Sequence, residues 1–354
     1  PKYGNLVPRD IATREIFDVC VNDGLIVDAG QKCVYLDLTH ISREELDRKL
    51  GGILSIYEKF QGVDPREVPM KIFPAVHYSM GGLWADYERT ADGGLVPGSP
   101  RNQQTNIPGL YAIGECDYQY HGANRLGANS LLSCIFSGLI VAPGIEKMLK
   151  GLKASASDPH FEQLLRGQRA VKQIEHDDLL KRDSGRENPY VLHQQLGDVM
   201  TKAATVVRRN DQLRDAIEKV NELAERVENC SLSDTGQWTN QNVVFTKSLR
   251  DMFPIAKAIL QGALARDECR GAHYKPEFEM PGIDPNASPE EKRQLAHQWC
   301  DTFEERGRRF LQTTIAEFDA AGNPTLSYEA VDTSLIPPRP RLYGLVGAEV
   351  IEEV

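Results

Sequence analysis

The sequence predicts an α/β segment followed by a mainly helical one, and three observations carry this. Val34, Leu36 and Leu38 alternate with Tyr35, Asp37 and Thr39, the period of a strand. The stretch 76–150 is rich in glycine and holds short apolar runs. One of them, Gly109-Leu110-Tyr111-Ala112-Ile113-Gly114, reads as a buried strand ending in a tight turn. Beyond residue 188, apolar residues recur at helical spacing in three successive stretches. At 354 residues the chain is long enough for two or three domains with real cores.

The elements follow in order. The chain opens on Pro1-Lys2-Tyr3-Gly4, with no methionine and no signal-peptide pattern, and is expected to be part of something longer. After the strand at 34–38, Ser42-Arg43-Glu44-Glu45 matches a capping box. It opens a helix with Leu46, Leu50 and Leu54 on its apolar face. Gly62-Val63-Asp64-Pro65 is a loop. Further on, Asn129-Ser130 leads into an apolar run from Leu131 to Ala142, broken by Ser133, Ser137 and Gly138. That run is too short to span a bilayer and reads as a buried core helix. A strand, a polar loop and a helix N-terminus in this order make a common cofactor site in α/β domains.

The region of Ser155, Ser157, Asp158 and Pro159 reads as a linker or insertion. Asn188-Pro189 supplies an N-cap and a proline at the first helical position, followed by Leu196, Val199, Met200, Ala203 and Val207. Asn210-Asp211 restarts a helix with Leu213, Ile217, Val220 and Ala224. A third helix covers roughly 246–266, with Pro254 near a kink or start. Three such helices suggest a bundle. The tail after Gly271 is punctuated by prolines, including Pro337-Pro338-Arg339-Pro340, and is expected to lie extended on the surface.

Composition excludes some functions. A net charge of -10 leaves nothing to neutralise phosphates, which argues against nucleic-acid binding. The seven cysteines form no C-x-x-C pair and none stands at metal-ligand spacing with a histidine. They fit buried free thiols in a reducing compartment, and no metal or iron–sulfur site is expected within the chain. No G-x-G-x-x-G occurs; Gly122 to Gly127 is G-x-x-x-x-G without the lysine of a phosphate loop.

Four stretches are chemically pointed: Pro8-Arg9-Asp10-Ile11-Ala12-Thr13-Arg14, His77-Tyr78-Ser79-Met80-Gly81-Gly82, Gly114-Glu115-Cys116 through His121-Gly122-Ala123-Asn124-Arg125-Leu126-Gly127-Ala128-Asn129-Ser130-Leu131, and Arg266-Asp267-Glu268-Cys269-Arg270-Gly271-Ala272-His273. In this order they resemble the succinate dehydrogenase/fumarate reductase flavoprotein family over nearly the whole chain. Gly-Glu-Cys-Asp-Tyr and the Pro-Arg-Pro-Arg tail look most like the bacterial type paired with a diheme cytochrome b anchor.

The resemblance implies the tail of a capping domain at 1–75, the second half of an FAD-binding α/β domain at 76–150, a helical domain at 151–275 and a C-terminal extension at 276–354. It implies succinate–fumarate interconversion, with electrons passed from FAD to an iron–sulfur subunit and a membrane quinone site. The location would be peripheral, on the cytoplasmic face of the bacterial inner membrane.

By match to the family motifs, Arg125 is a carboxylate clamp, a role that suits a planar fork which stays charged. His77 is the partner of the other carboxylate, and Arg9 is the proton-transfer residue. With a pKa above about 12, an arginine can act only as a relay that neighbours reload at once. In the family those neighbours, the pyrophosphate turn and the covalent attachment histidine lie upstream of this chain. The chain alone is therefore expected to bind FAD poorly and to be inactive. Glu115 is implied to accept from FAD ribose hydroxyls, and the Ser130 and Leu131 N–H groups to face the flavin N1/C2=O edge.

Cys269 stands where many relatives have serine. The 270–273 segment reads as packing the helical domain onto the flavin domain. His121 reads as a loop hydrogen-bonder; His40, His160, His176, His193 and His297 read as structural. Two other readings stay open: an L-aspartate oxidase-like flavoenzyme, and a non-catalytic assembly module.

Overall fold

The computed structural model describes residues 9–28, 32–127, 129–182, 185–282, 284 and 286–340. Pro1–Gly4, Pro8 and Ala128, named above, lie outside them. The chain divides into two units, Pro1–His77 and Tyr78–Val354.

In the first unit, α1 (Arg9–Val21) buries Phe17 and Cys20. Strand β1 (Val34–Leu36) pairs antiparallel with β2 (Met70–Ile72). Between the strands runs α2 (Arg43–Gln61), which buries Leu46 and Leu54 and ends on Gly62 in the left-handed conformation. Half of the expected capping box forms. The Ser42 hydroxyl accepts from the Glu45 N–H at 3.3 Å, while the Glu45 carboxylate pairs with Lys49 one turn on, at 2.6 Å. The i,i+4 cation outcompetes the reach back to the cap. Helix α1 was not expected from the sequence; its apolar positions are too few to show a clear period.

The second unit begins with residues 78–127, which carry almost no regular structure. Isolated bridges, Leu83↔Asp117, Arg89↔Leu95 and Gln104↔Tyr111, fasten its turns. The expected strand at 109–114 is not one. Only Tyr111 finds a bridge partner, and an extended segment becomes a strand only where its neighbours pair with it. Buried polar residues do the work of a ladder here. The Asn102 amide accepts from the Glu88 N–H (3.1 Å) and donates to the Val96 carbonyl (2.9 Å).

Helix α3 (Asn129–Gly151) follows and is nearly twice as long as its apolar run. Only one face is covered, through Ser133, Ser137, Val141 and Gly144. Leu131, Leu132, Ile135 and Leu139 are 62–74% exposed, so the reading of a buried core helix is corrected. By length and composition α3 could cross a membrane, yet its covered face is docked onto the turns of this unit. The serines and Gly144 explain the docking: a Cβ on Gly144 would sit 2.5 Å from the Ser99 carbonyl oxygen.

Residues 152–158, where the linker was read, carry no helix or strand; helix α4 (Pro159–Lys181), not read from the sequence, follows them. Then come the three helices read from the sequence. Helix α5 (Pro189–Met200) is capped by Asn188 and continues through a π turn at Thr201–Thr205. Helices α6 (Asn210–Val227) and α7 (Gln241–Leu264) complete the group, with Pro254 inside α7. Their shared core includes Leu192, Leu213, Val220, Leu223, Leu249 and Leu260, all fully buried.

Contrary to expectation, the tail folds before residue 331; residues 331–340, including Pro337-Pro338-Arg339-Pro340, carry no helix or strand and are mostly exposed. Helix α8 (Pro289–Phe310) starts on a complete capping box, Ser288 with Glu291. A hairpin of β3 (Gln312–Phe318) and β4 (Pro324–Ala330) then lies along α7. Lys257 donates to the Asn323 amide oxygen at 3.0 Å, and Arg266 to the Gln312 carbonyl at 3.0 Å. Trp84 donates to Glu329 (3.1 Å) and Arg89 pairs with Asp332 (2.8 Å). The hairpin thus ties residues 84–89 to α7.

Leu223→Ala should lower the hydrogen-exchange opening free energy of α6 and α7 by about 2–5 kcal/mol, the usual loss plus cavity for a buried leucine. Val244→Ala, exposed on α7, should change it by less than about 0.5 kcal/mol.

Candidate functional site

The stretch 114–127 is a loop fastened on three sides, each time at a glycine whose Cβ would crowd a neighbour. At its start, Gly114 has φ +69°, and its N–H donates to the Ser137 hydroxyl of α3 at 3.1 Å. A Cβ there would meet the Cys134 sulfur at 3.2 Å. On a second side, Leu83 N–H donates to the Cys116 carbonyl at 2.7 Å, and a Cβ on Gly82 would lie 2.3 Å from that same oxygen. On the third side, Ala272 N–H donates to the Ala123 carbonyl at 3.0 Å. Gly271, at φ +59°, leaves no room for a Cβ, which would stand 2.3 Å from it. The second, third and fourth sequence stretches therefore meet at one loop.

Arg125 lies on this loop, half-buried, with Nη1 donating to the Ser130 hydroxyl at 3.3 Å. Its guanidinium carbon is 5.3 Å from the centre of the Tyr78 ring, a cation–π contact. His121 meets the same ring edge-on at 5.2 Å. The Ser133 hydroxyl spends its proton on the Ser130 carbonyl (2.8 Å), so the Tyr78 hydroxyl and His121 Nε2, each 3.4 Å away, can only donate to it. Burial, and then the neighbouring Arg125, lower the pKa of His121, which favours the neutral ring. Sequence reasoning gave no role to Tyr78 or Ser133. Tyr78 was visible beside His77, but nothing in the sequence showed that it would underlie Arg125.

Glu115 lies in a short 3-10 turn, Gly114–Cys116, instead of at a strand end as expected. It is exposed, and one carboxylate oxygen accepts from the Ser79 N–H at 2.9 Å. Ser130 and Leu131 are in the first turn of α3, whose unpaired N–H groups carry partial positive charge. In the first unit, Arg9 is the exposed first residue of α1, and His77 is exposed at that unit's end.

These residues fit part of a flavin dinucleotide site. An exposed carboxylate can accept from ribose hydroxyls, and a helix N-terminus can take partial negative charge. Leu131 and Leu132, exposed beside that N-terminus, offer apolar surface for a ring system.

Beneath the loop is a charged underlayer. Asp117 is buried; its carboxylate accepts from the Gln119 N–H at 3.0 Å. With the Gln103 amide turned to satisfy its neighbours, its nitrogen donates to Asp117 (2.5 Å) and to the Ala112 carbonyl (2.8 Å), and its oxygen accepts from Tyr120 (2.9 Å). Burial still dominates and pushes Asp117 up to about 6.

Around the fourth stretch, the buried Glu268 carboxylate is shared between Arg266 (3.0 Å) and Arg270 (2.9 Å). The fully buried Lys275 donates to Asp267 (3.1 Å) and to the Leu264 carbonyl (3.2 Å). Arg208 can only donate, so the contact of its Nη1 with His273 Nδ1, at 2.6 Å, makes Nδ1 an acceptor. The ring proton is then on Nε2, donating to the Arg266 carbonyl at 2.9 Å. Burial and Arg208 push His273 down to about 4, which agrees with a neutral ring.

The family model described as "Fumarate reductase flavoprotein C-term" matches residues 193–343, and that described as "FAD binding domain" matches residues 3–131. The chain is 47% identical over 343 residues to the succinate dehydrogenase flavoprotein subunit of Bacillus subtilis, covering 97% of this chain and 52% of that protein. It is 29% identical to the fumarate reductase flavoprotein subunit of Escherichia coli, over 97% and 50% of the two chains.

Among solved structures, a mutant FrdA of E. coli quinol fumarate reductase superposes with a TM-score of 0.73 at 28% identity, over 95% of this chain and 51% of that one. Mycobacterium smegmatis Sdh1 shares the fold, with a TM-score of 0.66 at 23% identity over 98% and 50%. The chain spans about half the length of the curated relatives it matches.

Asp117 generates a pH prediction. Its folded pKa of about 6 is above the ordinary 3.8, so its contribution is fully present below 3.8 and is lost as pH rises through 6. Between pH 5 and pH 8, unfolding free energy should therefore fall by about 1.4 kcal/mol more in the parent than in Asp117→Asn. Denaturant unfolding of both proteins at the two pH values checks this; parallel profiles would count against a buried, titrating Asp117.

Proposed function

Because the chain belongs to the succinate dehydrogenase/fumarate reductase flavoprotein family, we propose that it supplies the dicarboxylate-clamping part of an enzyme that interconverts succinate and fumarate with FAD. The observation that supports this most is Arg125, 3.3 Å from Ser130 at the first turn of α3, on a loop fastened by the second and fourth stretches and by α3.

In this reading Arg125 binds one substrate carboxylate through its planar fork, and the Tyr78 ring beneath it limits the rotamers it can take. His77 donates to the other carboxylate. Arg9 moves the proton, taking it from a substrate carbon or returning it, and is reloaded at once by neighbouring groups. Glu115 holds ribose hydroxyls, and the N–H groups of Ser130 and Leu131 stabilise negative charge at the flavin N1/C2=O edge. Bound FAD supplies the hydride acceptance and return.

Electrons leave for an iron–sulfur subunit and, through it, a membrane cytochrome b anchor of the diheme type, on the cytoplasmic face of the bacterial inner membrane. The domain reading is a capping-domain tail at 1–75, flavin-domain residues at 76–150, a helical domain at 151–275 and an extension at 276–354. The 354-residue chain has no G-x-G-x-x-G, so on its own it would hold FAD poorly and be inactive.

Two substitutions in the complete enzyme test the roles. Arg125→Lys keeps the charge and loses the fork. The malonate dissociation constant, read from a flavin difference spectrum, should rise about tenfold to a hundredfold, since a hydrogen bond to a charged group is worth about 1.5–3 kcal/mol. An unchanged constant would remove Arg125 from the site. Arg9→Gln should abolish turnover at saturating succinate with an artificial acceptor and leave malonate binding intact. Weak binding with near-normal saturated turnover would instead make Arg9 a second clamp.

A further inference from the structure

We propose that the Arg270–His273 turn is a positioning device for Arg125, with Gly271 as its contact point; the proposal rests on the clamp role given to Arg125 above. The turn is closed on itself. Arg270 N–H donates to the His273 carbonyl at 2.9 Å, and His273 N–H returns a bond to the Arg270 carbonyl at 3.0 Å.

Both legs are anchored in the underlayer. Arg270 is tied to Glu268, which is 1% exposed and is also held by Arg266. His273 is wedged between Arg208 and the Arg266 carbonyl. Arg266 in turn grips β3 through the Gln312 carbonyl and the Thr314 hydroxyl. The turn is therefore fixed by α7, the hairpin and the segment before α6, none of which carries a residue of the proposed site.

Its tip reaches the clamp loop. Ala272 donates to the Ala123 carbonyl, and the bare Gly271 lies against Ala123 and Asn124, the two residues before Arg125. A Cβ at Gly271 would be 2.3 Å from the Ala123 oxygen, 2.6 Å from its carbon and 2.9 Å from the Asn124 Cβ. The first two are backbone atoms, so a methyl group there can be accommodated only by moving the loop. At φ +59° a side chain is strained in any case. Residues 117–127 form neither strand nor helix, so a push at Ala123, two residues from Arg125, is taken up in the backbone that carries Arg125. A bidentate grip tolerates little misplacement, because both of its parallel N–H···O bonds must be met at once.

The test is a double-mutant cycle in the complete flavoprotein, read as malonate dissociation constant by flavin difference spectrum. Gly271→Ala should raise the constant about tenfold or more in the parent, with flavin retained. In an Arg125→Lys background, where the fork is already lost, it should add less than about twofold. Glu268→Gln, which loosens the Arg270 anchor without touching Ala123, should act in the same direction and also fade in that background.

Equal fold-changes in both backgrounds would leave the clamp standing and overturn the positioning role. A malonate constant unchanged by Arg125→Lys alone would overturn the clamp itself, and the positioning role with it. Loss of flavin and of folded protein in both Gly271→Ala and Glu268→Gln would make the turn a structural strut only, which also overturns the proposal.

Discussion

The proposed site depends on backbone meeting backbone where no Cβ fits. Residues 114–127 form neither strand nor long helix, yet they carry Glu115 and Arg125. A loop of this length is ordinarily a mobile surface feature. Here three glycines, Gly82, Gly114 and Gly271, let neighbouring segments approach within hydrogen-bond distance of it. Each contact comes from a different part of the second unit. Rigidity that a sheet would supply through a ladder is supplied by a few close approaches, each dependent on a residue with no side chain.

Close approach alone would not hold unless the approaching segments were themselves fixed. The buried charges around the fourth stretch do that. Burying Glu268 or Lys275 would be strongly unfavourable without partners, and each has them. Such a network contributes little net stability compared with apolar packing, but its directional bonds admit few alternative arrangements. The neutral His273 shows the same economy: with Arg208 as a compulsory donor, only one tautomer satisfies both neighbours. Charge placement in the helical part of the unit and loop geometry near Arg125 are thus one mechanical system.

Helix α3 has a divided character. One face is small and polar and packs onto the turns at 99–100 and 114. The other is a row of exposed leucines and isoleucines. Read as a sequence, the run is apolar apart from Ser133, Ser137 and Gly138 and suggests a buried helix. Burial on a given face depends on which segments lie beside it, and that is a property of the assembled fold.

Much of the fold was legible in the sequence: the ordered motifs, the helix starting near 129 and the three core helices with their 3.6-residue period. Local rules sufficed for these, because capping, periodicity and motif identity are properties of neighbouring residues. The complete capping box at Ser288–Glu291 is a local signal of the same kind. Other features could be settled only by the tertiary structure. Residues 109–114 are not a strand because pairing requires a neighbour. Tyr78 lies under Arg125, 47 positions away, because Gly82 docks on Cys116. Gly271 reaches Ala123 across 148 positions because two half-buried arginines and a neutral histidine hold its turn in place. Sequence patterns record what a residue does with its neighbours along the chain; contacts between distant segments exist only once the chain has folded and both sides are fixed.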